Sequence, residues 1–254
     1  MVDDRLPYGS RRAPLFAHNI VSTSQPLAAQ AGLDILRIGG NAVDAAIATA
    51  ITLTVVEPTG NGLGSDGFAI VWDGTSLSAI NGSGRAPAGW TRRYFSKYDR
   101  MPQFGWDTVT VPGAVSVWAA LSERFGRVPF ERLFEAAVGY AEKGFHVGER
   151  TAFDWNNGPA EWYGSYEPFK KEFMPAPRTG DLVVRRALAR TLQDIAETNG
   201  ESFYRGVLAQ KIEEAAVSEG GALRCTDLAA HHPEWVELIS QTFKEVTVSE
   251  IPPN

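Results

Sequence analysis

The 254-residue sequence predicts a mixed α and β fold, and three observations support this. Apolar residues in 27–38 recur every three or four positions, which is typical of an amphipathic helix. Residues 42–56 are apolar on nearly every side, which indicates a helix buried from all directions. Residues 68–72 and 77–81 are strand-like runs joined by an Asp-Gly turn, which predicts a hairpin.

The two predicted helices have recognisable ends. Ser24 before Pro26 is a good start for the first helix, because the hydroxyl can cap free amides and proline suits the first turn. Residues 39–40 (GG) supply a left-handed cap that ends it. Asn41 then begins the second helix, with Asp44 three residues later in the pattern of a capping box.

The second half of the chain is predominantly helical in pattern. Helices are predicted over residues 115–125, 130–143, 182–199 and 206–220, and strands over 234–238 and 243–251. Residues 153–178 are rich in proline, glycine and aromatic residues, and we interpret them as a long irregular excursion. Their aromatic side chains could line an acyl pocket, but packing under the loop is the favoured interpretation.

No linker divides the chain, so a single domain is predicted. Within it we expect a sheet and buried-helix core over residues 18–90 and a mainly helical lobe over residues 110–232.

Charge and composition exclude several classes of protein. The net charge is −6 and no basic cluster occurs, so we expect no nucleic-acid partner. The longest weakly polar run, residues 42–56, is shorter than the roughly 18 residues of a spanning helix, so no membrane partner is expected. Cys225 is the single cysteine, which rules out an internal disulfide. Residues 1–5 (MVDDR) lack a secretory pattern, which predicts a cytoplasmic protein, although a chain trimmed of its leader would look the same.

The glycine-rich loop, residues 60–67 (GNGLGSDG), allows two interpretations. Glycines can cradle a phosphate, but a phosphate loop follows a strand and precedes a helix, and usually ends in Gly-Lys-Ser/Thr. Here the predicted order is helix, loop, strand, and the loop has no lysine. Close backbone approach beside a substrate cavity is the favoured interpretation.

Residues 81–87 (NGSGRAP) present one arginine, Arg85, at the end of the second strand. A guanidinium offers a fixed fork of donors, so Arg85 is a candidate clamp for a carboxylate or an amide. A structural ion pair is an equally good interpretation. His231 and His232 are adjacent and do not share a face, so no metal site is predicted, and nothing in the sequence calls for a cofactor.

A series of motifs in order along the chain carries a more specific signal. They are residues 27–36 (LAAQAGLDIL), 39–46 (GGNAVDAA), 56–58 (VEP), 62–64 (GLG), 67–68 (GF), 111–115 (VPGAV), 126–130 (GRVPF), 141–145 (AEKGF), 203–206 (FYRG), 220–223 (GGAL), 227–229 (DLA) and 251–254 (IPPN). Together they resemble the N-terminal part of the large subunit in the gamma-glutamyltranspeptidase family. Members of that family cut their own precursor to expose an N-terminal nucleophile.

The resemblance implies a fold and a mechanism. The fold is a four-layer αββα sandwich of the N-terminal nucleophile hydrolase type, built from a large and a small subunit, with residues 1–254 as one incomplete domain. The catalytic residue is a threonine at the start of the small subunit, whose own α-amino group serves as base. We therefore expect no catalytic residue within this chain and no activity from it alone. The implied partners are a small-molecule amide substrate and the small subunit from the same precursor, and a dimer of processed heterodimers is one assembly the family allows.

One departure from the family pattern concerns the substrate. Gamma-glutamyl transferases carry an arginine four residues before the proline of the Ala-Pro pair, where this chain has Ser83, and its arginine is Arg85. In a strand, a shift of two residues keeps a side chain on the same face and moves it about 6.5 Å along the strand. A glutamyl α-carboxylate would lose its charged partner, a loss of about 1.5–3 kcal/mol. Ser83 and Arg85 are therefore predicted to bind the acid end of a different amide.

The leading hypothesis is an autoprocessed amidohydrolase or acyltransferase that cleaves an amide of a small acid. It places the chain nearer to the amidohydrolase and acylase-like relatives than to the gamma-glutamyl transferases. One alternative is a gamma-glutamyltransferase or glutathione hydrolase proper. Another is a catalytically inactive relative that binds amino-acid-like ligands. A third, a structural assembly module, predicts no cavity near Arg85.

Overall fold

The structure is a computed structural model and describes residues 15–254. The helices in this part of the chain are α1 (Pro26–Arg37), α2 (Ala42–Val56), α3 (Arg92–Phe95), α4 (Ala114–Phe125), α5 (Glu135–Lys143), α6 (Glu149–Asn156), α7 (Pro159–Tyr163), α8 (Glu167–Phe173), α9 (Arg186–Glu197), α10 (Glu201–Arg205), α11 (Val207–Ser218) and α12 (Cys225–Ala229). The strands are β1 (Phe68–Trp72), β2 (Leu77–Asn81), β3 (Phe145–His146), β4 (Leu182–Val183), β5 (Glu234–Val236), β6 (Ile239–Phe243) and β7 (Val246–Glu250).

The capping box predicted for α2 is confirmed. The Asn41 side chain accepts hydrogen bonds from the amides of Val43 and Asp44, and the Asp44 carboxylate accepts one from the Asn41 amide. The buried Asp44 carboxylate also accepts from the Arg127 amide at 3.0 Å, which connects the start of α2 to the loop after α4. The cap of α1 differs from the prediction. The Gln25 side chain, and not that of Ser24, accepts hydrogen bonds from the free amides of Leu27 and Ala28.

Helix α2 contributes many side chains to the core, but it is not buried from all directions as predicted, because Ala42 and Ala46 are exposed along one stripe. Ile47, Ile51 and Val55 are fully buried, and burial of each such side chain contributes about 1.5–3 kcal/mol. The neighbours of α2 are α1, α4 and α5, so the two halves of the described chain share one hydrophobic core. None of the helices formed by residues 15–254 is long and apolar enough to cross a lipid bilayer.

The main sheet is antiparallel, with the strand order β1-β2-β5. The hairpin of β1 and β2 turns at Gly74, whose φ of 101° is readily available to glycine, and this confirms the turn prediction. On the other side of β2, Asn81 pairs with Glu234, the first residue of β5. This register brings the end of β2 next to the start of β5.

The structure corrects several predictions in the second half. Residues 130–143 begin as a 3-10 helix, Phe130–Phe134, before α5. Residues 182–183 form β4, which pairs with β3, and α9 begins only at Arg186. The region 153–178 contains the second half of α6 and all of α7 and α8, because aromatic contacts between these short helices, such as Phe173 on Trp155, stabilise them. The strand predicted over 243–251 is β7, which begins only at Val246 and pairs with β6, a strand that the prediction missed.

Candidate functional site

The segment that follows β2 lies directly against the backbone before α4. A Cβ on Gly84 would be 1.5 Å from the Val111 carbonyl oxygen, and a Cβ on Gly113 would be 1.6 Å from the Gly82 carbonyl oxygen. Only glycine permits such an approach. The Val111 amide donates to the Arg85 carbonyl at 3.1 Å, so the backbone of Arg85 is anchored to the same segment.

Ser83 and Arg85, the two predicted site residues, differ in exposure. Ser83 is half-buried, and its amide donates to the Asn81 side chain at 2.7 Å. The Arg85 side chain is 73% exposed, and its guanidinium lies 3.0 Å from the Glu234 carboxylate. An exposed pair of this kind contributes at most about 1 kcal/mol, so another carboxylate can replace Glu234 at small cost.

Glu234 is a residue of the site that sequence reasoning missed. Its contact with Arg85 spans 149 positions in the chain and arises because β5 pairs with β2. A predicted strand over 234–238 was the one available signal, and it did not specify which strand β5 would join. The register of the sheet therefore decides the partner of Arg85.

The glycine-rich loop, residues 60–67, also contacts the segment that follows β2. The Asp66 carboxylate accepts a hydrogen bond from the Gly84 amide at 3.3 Å. Asp66 also lies in the wall of a cleft of about 260 Å³ that is bordered by α2, β1 and α4. Ser83 and Arg85 are not in this wall, although Gly84 between them contacts it through Asp66. The loop follows a helix and precedes a strand, which is the reverse of a phosphate loop.

The buried His231 contacts the start of α4, close to the backbone segment that anchors Arg85. The His231 Nε2 lies 3.0 Å from the Ser116 hydroxyl oxygen, and the imidazole stacks on the Tyr204 ring with centroids 5.3 Å apart. The Tyr204 hydroxyl accepts from the Ser116 amide and donates to the Pro112 carbonyl at 2.8 Å. These contacts hold the first turn of α4, next to the backbone that anchors Arg85.

The electrostatics favour a neutral imidazole. Burial lowers the pKa of His231, and the nearby charges of His232, Arg85 and Arg205 lower this pKa further, while Asp66 opposes them. Burial also raises the pKa of Tyr204 to about 12, so the phenol keeps its proton. His231 and Ser116 form a hydrogen-bonded pair that sequence reasoning did not find, since 115 positions separate them.

No metal centre is found among residues 15–254, since no three side chains of the His, Cys, Asp and Glu types are grouped there. The groups of the described site are one arginine, two carboxylates, the Ser83 hydroxyl and backbone amides. Such groups can bind and orient a small polar molecule.

Comparisons with known proteins agree with the resemblance. The model of the gamma-glutamyltranspeptidase family matches residues 28–254. The glutathione hydrolase-like YwrD proenzyme of Bacillus subtilis (strain 168) is 34% identical over 235 residues, covering 90% of this chain and 44% of that protein. The oxamate amidohydrolase proenzyme of Klebsiella pneumoniae is 34% identical over 226 residues, covering 84% of this chain and 42% of that protein.

A solved structure extends the likeness to the fold. The cephalosporin acylase of Bacillus halodurans superposes with a TM-score of 0.93 and is 46% identical, covering 100% of this chain and 50% of that one. This identity exceeds the 34% shared with the glutathione hydrolase-like protein. The chain spans about half the length of the relatives it matches. On the family match and the shared mixed fold, the chain belongs to the gamma-glutamyltranspeptidase family.

Proposed function

We propose that the complete protein is an amidohydrolase or acyltransferase that processes its own precursor and cleaves an amide of a small acid. The nucleophile is a threonine outside these 254 residues, by analogy with the family. The observation that carries the proposal is the exposed guanidinium of Arg85, which lies 3.0 Å from the Glu234 carboxylate at the start of β5. Two relatives support amide cleavage by their names, an oxamate amidohydrolase and a cephalosporin acylase.

The substrate's acid end is assigned to Arg85 and Ser83. Arg85 offers charged donors that a substrate carboxylate can take over from Glu234. The half-buried Ser83 hydroxyl is two residues nearer to β2, where gamma-glutamyl transferases carry their arginine. This offset of two residues supports a small or differently shaped acid over a gamma-glutamyl group, since the positive charge is displaced from that position; β2 ends at Asn81, so the strand spacing expected from the sequence does not extend to Ser83 and Arg85.

The assembly follows from the same proposal. Strand β1 is an edge of the three-stranded sheet, and Phe68, Ile70 and Trp72 leave apolar surface exposed along it. A four-layer sandwich would cover this surface with strands from a small subunit of the same precursor, and two processed heterodimers would form the dimer. The cytoplasmic location is part of the proposal, and fractionation of cells that express the protein tests it.

An amide panel tests the proposal. The complete gene product, and its Arg85→Ala variant, are assayed with oxamate, an acylated β-lactam and a gamma-glutamyl anilide. We expect turnover of one of the first two, and a KM at least tenfold higher in the variant, because a charged hydrogen bond contributes about 1.5–3 kcal/mol. Arg92→Ala removes an exposed arginine on α3 and is the matched control.

The outcomes separate the alternatives. Brisk turnover of the gamma-glutamyl anilide, with little of the other two, would favour a glutathione hydrolase proper and refute the argument from Ser83. A single band for the full-length protein on a denaturing gel, with no turnover of any amide, would favour the inactive ligand-binding relative. Two bands would support self-cleavage.

A further inference from the structure

A second cleft, of about 580 Å³, shares no lining residue with the segment 81–87. It lies between the segment before α4 and the helix α7, with the end of α11 at its rim. Five aromatic side chains and one carboxylate define what we call the aromatic cleft: Phe104, Trp106, Trp162, Tyr163, Tyr166 and Glu219.

The aromatic side chains of this region fall into two groups, which meet where the Tyr163 ring lies 5.7 Å from the Phe169 ring. Trp155, Phe169 and Phe173 pack on one another, with Phe169 stacked on Phe173 at 4.8 Å, which agrees with packing under a loop. Trp162 and Phe104, in contrast, are 60% and 52% exposed. Packing therefore accounts for the first group and leaves the rings of the aromatic cleft open to a ligand.

Hydrogen bonds and ring contacts of neighbouring residues fix the walls of the aromatic cleft. Next to Trp106, the buried Asp107 carboxylate accepts hydrogen bonds from the hydroxyls of Tyr94 and Tyr98, both at 2.6 Å, and pairs with Lys97 at 2.8 Å. Phe104, on the same wall as Trp106, meets the Tyr163 ring of α7 edge-to-face at 5.3 Å, and this contact joins the two walls.

The rim is fixed by a further hydrogen bond. The Tyr166 hydroxyl donates to the Glu219 carboxylate, and burial together with this bond raises the pKa of Tyr166 to about 12. The rings are thus set before any ligand binds, which lowers the entropic cost of binding.

The charge of the aromatic cleft indicates the class of ligand. No lysine or arginine lines it in the described part of the chain, and its carboxylate, Glu219, places a negative group at the rim. Ring faces attract cations through their quadrupole. We propose that the aromatic cleft binds an organic cation of the quaternary ammonium or alkylammonium class. This site is independent of the amide chemistry proposed above.

Choline and its neutral isostere 3,3-dimethylbutan-1-ol are the probes, because they share shape and differ in charge. Each is titrated into the complete gene product, with binding followed by saturation-transfer NMR. We expect saturable binding of choline, roughly tenfold tighter than the isostere, which is the ratio that one desolvated cation–π contact gives.

Two variants assign the binding to the aromatic cleft. Trp162→Leu removes a ring face and keeps apolar bulk, and Glu219→Gln removes the charge and keeps the size. We expect each to weaken choline binding roughly threefold to tenfold. The matched controls are Phe153→Leu, an exposed ring outside the cleft, and Glu214→Gln, an exposed carboxylate on α11; both should bind choline as the wild type does.

Several outcomes would overturn the proposal. They are choline binding no tighter than the isostere, no saturable binding at millimolar concentrations, and equal binding by wild type and Trp162→Leu. Thermal unfolding of each variant shows whether it is folded. If Trp162→Leu is not, Phe104→Leu replaces it with the same expected weakening.

Discussion

At the scale of single residues, the candidate site depends on glycines, whose lack of a side chain allows two backbone segments to touch. Gly84 has no room for a Cβ because the Val111 carbonyl occupies that position. The same contact holds the backbone of Arg85 and so sets where its guanidinium emerges. A residue with no functional group of its own therefore positions the one arginine to which we assign binding.

We predict that Gly84→Ala destabilises the protein by about 1–3 kcal/mol, because the added methyl forces two backbone segments apart. In the complete protein, urea denaturation measures the loss, and the KM for the amide substrate should rise as Arg85 moves. Gly64→Ala is the matched control, since Gly64 has open space around its Cβ position and no positive φ. Equal stability of the two variants would contradict the packing argument.

At the scale of elements, the start of α4 is held by α10 and by the chain after α12. Tyr204 on α10 bonds to Ser116 and Pro112, and His231 packs on Tyr204 and contacts Ser116. This cluster connects parts of the chain that are far apart in sequence. Its stability depends on His231 staying neutral, since burial disfavours the charged imidazole.

We predict a pH dependence with a definite sign. The pKa of His231 is lower in the folded protein than the ordinary 6.5, so its contribution is fully present above pH 6.5 and is lost as the pH falls towards the folded-state pKa. Unfolding free energies measured between pH 8 and pH 5 should fall less steeply for His231→Gln than for wild type. His146→Gln, at an exposed histidine, should keep the wild-type dependence. Identical slopes for wild type and His231→Gln would argue against a neutral, buried imidazole.

At the scale of the whole molecule, apolar surface is left open along the sheet and the last hairpin. Ile70 and Trp72 on β1 are exposed, as are Phe243 and Val248 on β6 and β7. The edge of β1 also carries unpaired backbone groups in the described part of the chain. Edges and patches of this kind favour association.

We predict that these 254 residues, expressed alone, self-associate into large species, whereas the complete gene product does not associate beyond the proposed dimer. Size-exclusion chromatography with light scattering measures the mass. Ile70→Lys should shift the isolated chain towards the monomer by placing a charge at the edge. Val207→Lys, at an exposed apolar position on α11, is the matched control and should not. A monomeric wild-type chain would show that the open edge does not drive association.

Features that depend on neighbouring residues were predictable from the amino-acid sequence. The capping box of Asn41 and Asp44 and the turns at Gly39 and Gly74 were each predicted and confirmed, while the predicted burial of α2 holds except along the stripe of Ala42 and Ala46. The family resemblance predicted the kinship that the comparisons show. These signals are short-range, because caps, turns and apolar periodicity are set within a few positions.

Only the tertiary structure decided which distant residues meet. Arg85 with Glu234 and Ser116 with His231 are paired by the sheet register and by helix packing across more than a hundred positions. The short helices α7 and α8 also depend on contacts between helices, because each is at most seven residues long and packs an aromatic ring on a neighbour, Tyr163 of α7 on α8 and Phe173 of α8 on α6. Local pattern cannot encode a partner that only long-range packing brings near, and the chemistry of the site depends on those partners.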